Sequence, residues 1–211
     1  DIPVFLQPPD DSEDLEMTFE PRMEVMDNGA ALPLYSNPSL RTFYTAGYRW
    51  SFKGREAFYE VMRLLSYMRG RARAVWLPTF MNDFTLVSAI TSGATSFSVR
   101  NVGYTIRSAN TSDRNVILIH LWDGTKLMKR ITGSTEVDAD TETLTVGAGE
   151  AFSQNIDPLQ VRNISYVSLA RLDQDSVEIQ HVADQHGLTK ISVIWKFPSQ
   201  AELSGTYLGG G

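Results

Sequence analysis

Residues 48–70 read YRWSFKGREAFYEVMRLLSYMRG, and the spacing of their apolar side chains changes part way along. Tyr48, Trp50 and Phe52 alternate with polar residues, which is the two-residue period of a half-buried β-strand. From residue 54 the apolar residues recur every three or four positions, which predicts an amphipathic helix over residues 54–69 that stops at Gly70. Because a lone amphipathic helix needs an apolar surface to cover, this stretch predicts a helix packed on a β-sheet.

The sequence on both sides of this stretch predicts further strands, and no other segment gives a strong helix signal. The predicted strands are residues 15–25, 40–52, 75–77, 84–90, 95–99, 115–121, 126–132 and 143–146, and three antiparallel strands between 162 and 198. Asp123-Gly124 lies between two of them and is typical of a hairpin turn.

The predicted strands between residues 84 and 158 are short and separated by polar turns, which is typical of a small β-barrel or sandwich. We therefore predict a mainly β fold with one helix. Residues 1–82 and 160–200 form a split β-barrel or sandwich body, and residues 84–158 form a small inserted β-barrel. Residues 201–211 are rich in glycine and are predicted to be a flexible tail.

Composition excludes several classes of function. The chain has no cysteine, so disulfides, thiolate metal sites and cysteine nucleophiles are excluded. A net charge of −6 gives no general reason to bind DNA through its phosphates. No apolar run is long enough to span a membrane, and Asp1-Ile2-Pro3-Val4 does not have the pattern of a signal peptide. We expect neither a membrane partner nor sequence-specific binding of nucleic acid.

Acidic residues are concentrated near the N-terminus, where Arg22 is the one cationic residue among residues 1–38. They are Asp10, Asp11, Glu13, Asp14, Glu16, Glu20, Glu24 and Asp27. Two interpretations remain open: a solvated edge, or a surface that meets a basic patch on a neighbouring subunit.

The histidines do not form a recognisable catalytic or metal-binding motif. His181 and His186 are five residues apart across a predicted turn, whereas a zinc protease places two histidines four apart on a helix. His120 precedes Trp122 in an apolar strand. All three are interpreted as packed or solvent-facing residues, and a Gly-x-Ser-x-Gly nucleophile elbow is absent.

The clusters of acidic residues also have simpler interpretations than a metal-binding or catalytic site. Residues 138–142 read DADTE but lack the glycine and the distal glutamate of a calcium loop, so we interpret them as a solvated hairpin. Asp173, Asp175 and Glu178 offer paired acids for glycoside hydrolysis, yet aspartate is expected in the turn predicted there.

Arginines near the predicted helix end form the one basic cluster. Arg69, Arg71 and Arg73, with Arg63 upstream, suit a nucleic-acid patch or, more simply, a helix C-terminus and one face of a strand. We favour the simpler alternative. The sequence therefore predicts no catalytic, cofactor-binding or metal-binding residue, and no cofactor.

Three blocks of sequence together resemble the distal tail proteins of long-tailed bacteriophages. The first is residues 69–83, where a Gly-Arg-rich link leads into a Trp-Leu-Pro strand that closes on Asp83. The second combines residues 115–121, 130–132 and 143–146, and the third is residues 164–179. The resemblance covers roughly residues 40–198 and lies in the order and spacing of the blocks.

What the resemblance implies is a non-enzymatic structural protein of the virion tail, assembled in the host cytoplasm. Such proteins form rings, commonly hexamers, around the tail channel, and connect the tail tube to the tip hub and fibres. A closed ring repeats one interface, so each copy must offer two complementary faces.

Two other functions stay open at this point. The inserted domain is a candidate for binding host carbohydrate or a fibre, and an exposed Trp122 would favour that. A cell-wall hydrolase would need a cleft with paired carboxylates or a metal site.

Overall fold

In the computed structural model the chain is mainly β, as the sequence predicts, and the residues that the structure describes include one helix longer than two turns. The structure describes residues 2–10, 16–21, 24–27, 29, 34–36, 42–109, 114–182 and 188–197. Acidic residues 11–14, His186 and the predicted tail 201–211 lie outside this set.

Twelve strands and two helices are present among the described residues. The strands are β1 (Glu16–Pro21), β2 (Glu24–Met26), β3 (Leu34–Ser36), β4 (Thr42–Lys53), β5 (Val75–Pro78), β6 (Ser96–Arg100), β7 (Val116–Leu121), β8 (Lys126–Glu136), β9 (Thr141–Val146), β10 (Val161–Leu172), β11 (Glu178–Val182) and β12 (Leu188–Lys196). The helices are α1 (Arg55–Met68) and the single-turn α2 (Tyr104–Arg107).

Most strands belong to one antiparallel sheet with the order β1-β4-β12-β10-β7-β8-β9-β6. Strand β11 adds to β12, β5 adds to β10, and β2 and β3 form a separate pair. Among the described residues the two ends of this order, β1 and β6, do not pair with each other, so the sheet is open. Of the two forms left open for the body, the sandwich is therefore consistent with the structure.

Helix α1 covers one face of the body, and the core beneath it is rich in aromatic rings. Val61 and Met68 of the helix are buried against Trp50 of β4 and Trp195 of β12, whose rings meet edge to face at 5.8 Å. Phe5 adds a further edge-to-face contact with Trp50 at 4.9 Å. Burial of rings of this size provides most of the driving force for a body of few layers.

A second hydrophobic core lies between β6, β7, β8, β9 and the first half of β10. It is centred on residues such as Phe97, Ile117 and Leu144, and it reaches Ile164 and Tyr166. Strand β10 therefore serves both cores, since Ala170 and Leu172 at its other end belong to the core beneath α1. The division into a split body and an insert over residues 84–158 stays a prediction, although the core of the insert extends past residue 158.

The prediction of a continuous strand over residues 84–90 is wrong. Phe84, Leu86 and Ile90 are buried, but each forms an isolated bridge to a different segment, with Ile164, Val99 and Ile156 respectively. The apolar pattern of these residues reflects burial in a crossing segment rather than a continuous ladder of hydrogen bonds.

Asp83 and its neighbours form hydrogen bonds with β10. The chain enters the second core just after Asp83 and leaves that core along β10. The Asp83 carboxylate accepts hydrogen bonds from the hydroxyl of Thr79 and from the backbone N–H of Tyr166, the latter at 2.8 Å. Ser165 Oγ donates to the carbonyl of Met81 at 2.7 Å. Both connections between the two cores therefore run side by side.

Candidate functional site

The acids and arginines singled out in the sequence form separate structural contacts rather than one site. Arg71 forms a bidentate ion pair with Asp175, with its Nη2 3.0 Å from Oδ2 and its Nε 3.2 Å from Oδ1. The hydrogen bond from the backbone N–H of Arg71, together with its guanidinium, holds the pKa of Asp175 below its usual range. Asp173 lies 3.9 Å from Lys196, so each aspartate has its own cation.

The other three arginines of the basic cluster have different surroundings from those of Arg71. The Arg73 guanidinium lies 4.9 Å from the centre of the Tyr67 ring. Arg69 has a left-handed backbone conformation with φ of 50°, and its N–H caps the helix by donating to the carbonyl of Leu65. Arg63 is exposed on α1. Arg71 and Arg73 thus have separate partners within the fold.

Residues 138–142 build a polar anchor instead of a calcium loop. Glu142 is fully buried, and its carboxylate accepts four hydrogen bonds: from the N–H groups of Val102, Tyr104 and Thr105, and from the Thr105 hydroxyl. Asp138 and Asp140 remain in an exposed turn, where Asp138 accepts from the N–H of Asp140. In the part of the chain that the structure describes, no three His, Asp or Glu residues are grouped as metal ligands would be.

His120 lies in a polar row across three strands, where its register partners are Asn163 of β10 and Lys126 of β8. Burial lowers the pKa of His120, and the charges of Lys126 and Arg162 act in the same direction. A hydrogen bond with Asn163 and the charge of Asp123 oppose this effect. His181 belongs to β11, far along the chain, and His186 lies outside the described residues.

Trp122 is 68% exposed beside the β7–β8 turn that Asp123-Gly124 makes. The Arg162 guanidinium lies 5.6 Å from the centre of the Trp122 ring, and the backbone N–H of Trp122 donates to the carbonyl of Gln160 at 2.9 Å. This surface combines a flat aromatic ring with hydrogen-bonding and cationic side chains, the composition of a recognition surface.

A second exposed surface, which we name the β1 face, comprises Met17, Phe19, Tyr44 and Phe197. Met17 and Phe19 pair in register with Ala46 and Tyr44 of β4, so they share the sheet face that carries the aromatic core. Tyr44 stacks on Phe197 at 4.4 Å and contacts Phe19 at 6.0 Å. The apolar face of the sheet thus continues past α1 into solvent, where Phe19 is 65% exposed.

The β1 face lies at the end of the sheet. Strand β1 pairs with β4 along one edge, and none of the other described strands pairs with its second edge. An unpaired edge with exposed apolar side chains is a template for association with another chain.

Sequence reasoning missed Glu142 as a structural anchor and the β1 face as a surface. The alternation of Met17 and Phe19 with polar residues was the available signal for a half-exposed strand, but nothing local indicates that the strand lies at a sheet edge. In the described residues no helix is both long and apolar enough to cross a membrane. No protein-family model matches the sequence, and no curated protein matches it at a significant level.

Proposed function

We propose that this chain is a structural subunit of the tail of a long-tailed bacteriophage, which joins copies of itself into a ring at the distal end of the tail. The ring, a hexamer on the family resemblance, connects the tail tube to the tip hub and fibres. The chain acts by shape and performs no catalysis.

The observation that supports self-association best is the β1 face. The exposed side chains of Met17 and Phe19, and the edge of β1 with which no other described strand pairs, offer both side-chain and backbone groups to a second chain. The mainly β fold with one covering helix agrees with what the sequence resemblance implies.

The mass of the assembly in solution tests the proposal. We expect native mass spectrometry and light scattering to give one closed oligomer, and negative-stain images to show a ring with an open channel. Phe19→Lys should shift the mass toward the monomer, because it places a charge in the buried contact. Tyr59→Lys is the matched control, since Tyr59 is equally exposed at 64% but lies on the outer side of α1.

A chain that stays monomeric up to high micromolar concentration contradicts the ring. The tail assignment has its own test, which is immunogold labelling of virions that carry this protein. Label at the tip of the tail supports the proposal, whereas label on the capsid or along the tail contradicts it.

A second candidate function, binding of host carbohydrate by the inserted domain, is favoured by the exposure of Trp122. A flat ring with polar neighbours suits stacking against the apolar face of a sugar while Arg162 and Asn163 bind hydroxyl or acidic groups. We expect Trp122→Ala to abolish binding in a glycan titration and Leu159→Ala, a change at an exposed aliphatic neighbour, to retain it. Equal binding by both variants contradicts this function.

A further inference from the structure

A cavity of about 730 Å³ separates helix α1 from the N-terminal segment of residues 3–7. The helix lines one wall with Ala57, Val61 and Leu64, which recur at helical spacing, and Lys126 from β8 closes one side. We name this cavity the α1 groove. It is large enough to hold several residues of an extended peptide.

Residues 3–7 form the opposite wall of the α1 groove, and within this segment Val4 makes an isolated parallel bridge to β5. Trp76 of β5 donates its N–H to the carbonyl of Pro3 and accepts from the N–H of Phe5, which makes Val4 its parallel partner. Because successive residues of an extended segment point their backbone groups to alternate sides, the N–H and C=O of Val4 face away from β5. No hydrogen bond to these groups occurs within the described part of the chain.

An extended peptide laid along this edge would be joined by main-chain hydrogen bonds and would place alternate side chains on the helix wall. Residues 201–207 of this chain read AELSGTY, in which Ala201, Leu203 and Tyr207 alternate with polar residues. Their spacing fits the two-residue period that such an added strand requires.

The charges at the rim agree with this segment. Arg63 and Lys126 line the α1 groove together with Glu60, which leaves one net positive charge at the rim. The segment carries one acidic residue, Glu202, and no cation. An acidic peptide is therefore favoured over a basic one.

We propose that the α1 groove binds the C-terminal segment, residues 201–208, of the neighbouring copy in the ring, as a strand added beside residues 3–7. This inference rests on the proposed function, because the groove and the C-terminal segment of the next copy form one pair of complementary surfaces of the kind that a closed ring repeats. Leu203 and Tyr207 pack on the apolar stripe of α1, and Glu202 lies near Arg63 and Lys126.

Cysteine cross-linking tests the contact, and the absence of native cysteines leaves no competing thiols. Gln7 is exposed and lines the groove, so Gln7→Cys is combined with Ser204→Cys in one full-length chain. Under mild oxidation we expect a ladder of covalent dimers and higher species on a non-reducing gel. The control pairs Gln7→Cys with Leu159→Cys, which adds a thiol at a site of 88% exposure that does not line the groove.

Two outcomes overturn the inference. One is a disulfide between residues 7 and 204 of the same chain, seen by mass spectrometry of the monomer band. The other is a cross-linking yield no higher than that of the control. A mixture of isotope-labelled and unlabelled chains identifies intermolecular bonds directly.

A truncated chain separates this inference from the proposed function. We expect removal of residues 201–211 to shift the mass from ring to smaller species, and Leu203→Asp with Tyr207→Asp to do the same in the full-length chain. Rings that persist in both variants overturn the groove contact and leave the proposed function standing. A full-length chain that forms no ring contradicts the proposed function itself.

Discussion

Gly70 shows at the scale of one residue how closely the end of α1 approaches a distant loop. Its backbone φ is +65°, and a Cβ atom there would lie 2.6 Å from Asp175 Oδ1 and 3.2 Å from Asp175 Cα. An alanine therefore strains the backbone and also displaces the carboxylate that Arg71 binds.

We expect Gly70→Ala to lower the free energy of unfolding by roughly 2–3 kcal/mol, measured by urea denaturation. Gly93→Ala is the control, because Gly93 also has a positive φ, of +84°, but has open space where the Cβ would be. Its cost should be about 1 kcal/mol, from backbone strain alone. Equal costs for the two variants would show that the approach of Asp175 is unimportant.

Glu142 is the buried charge on which the segment from Val102 to Thr105 depends. All four of its hydrogen bonds are accepted by the carboxylate, and glutamine replaces one oxygen with a donor that faces other donors. We expect Glu142→Gln to cost about 2–4 kcal/mol of unfolding free energy. Glu136→Gln, at an exposed site with one bond to Asn101, should change it by less than about 0.5 kcal/mol.

At the scale of the element, β7 carries a histidine whose titration is coupled to folding. The pKa of His120 in the folded chain lies below its ordinary value of 6.5, so on acidification the unfolded chain takes up this proton first. The stability that neutral His120 supports is therefore present above pH 6.5 and is lost as the pH falls from there toward the folded pKa.

The melting temperature should accordingly fall between pH 7.5 and pH 5.5, about the range in which histidines titrate. His120→Asn should flatten this slope, because asparagine does not titrate and can still bond to Asn163. His186→Asn provides the comparison for general effects of losing a histidine. An unchanged slope in His120→Asn would assign the pH dependence to other groups.

At the scale of the whole molecule, β10 ties the two cores together. Its first half completes the core that holds Ile117 and Leu144, and its second half completes the core beneath α1. Loss of either core removes the packing of one half of a continuous strand, so the two should unfold together.

We expect one cooperative transition in denaturant, with amides of β4 and β7 losing protection from hydrogen exchange at the same concentration. Exchange in β4 reports on the core beneath α1, and exchange in β7 reports on the other core. Two separate midpoints would show that the insert is an independent folding unit.

The features that depend on local periodicity were predictable from the sequence. The change from a two-residue to a 3.6-residue period placed the helix over residues 54–69, and α1 spans Arg55–Met68. The hairpin turn at Asp123-Gly124 was also predictable, because the two residues that favour such a turn are adjacent in the sequence.

What could not be predicted depends on residues that are far apart in the sequence. Asp83 follows a predicted strand, and nothing near it in the sequence indicates that its carboxylate accepts a hydrogen bond from the N–H of Tyr166, 83 residues away. Glu142 belongs to the predicted solvated hairpin but is buried, and its partners at residues 102–105 lie about 40 positions earlier in the sequence. The order of strands that leaves β1 at an edge likewise has no local signal.

The adjacent connections at Asp83 and Ile164 bear on how this body could change over evolution. The N–H of Asp83 donates to the carbonyl of Ile164 at 2.8 Å. The points at which the chain leaves the body and returns to it are therefore as close together as two paired strands. A domain that replaces the predicted insert needs only chain ends that lie as close together as the two strands of a hairpin. A different module could therefore replace residues 84–158 while the packing of the body beneath α1 is inherited intact.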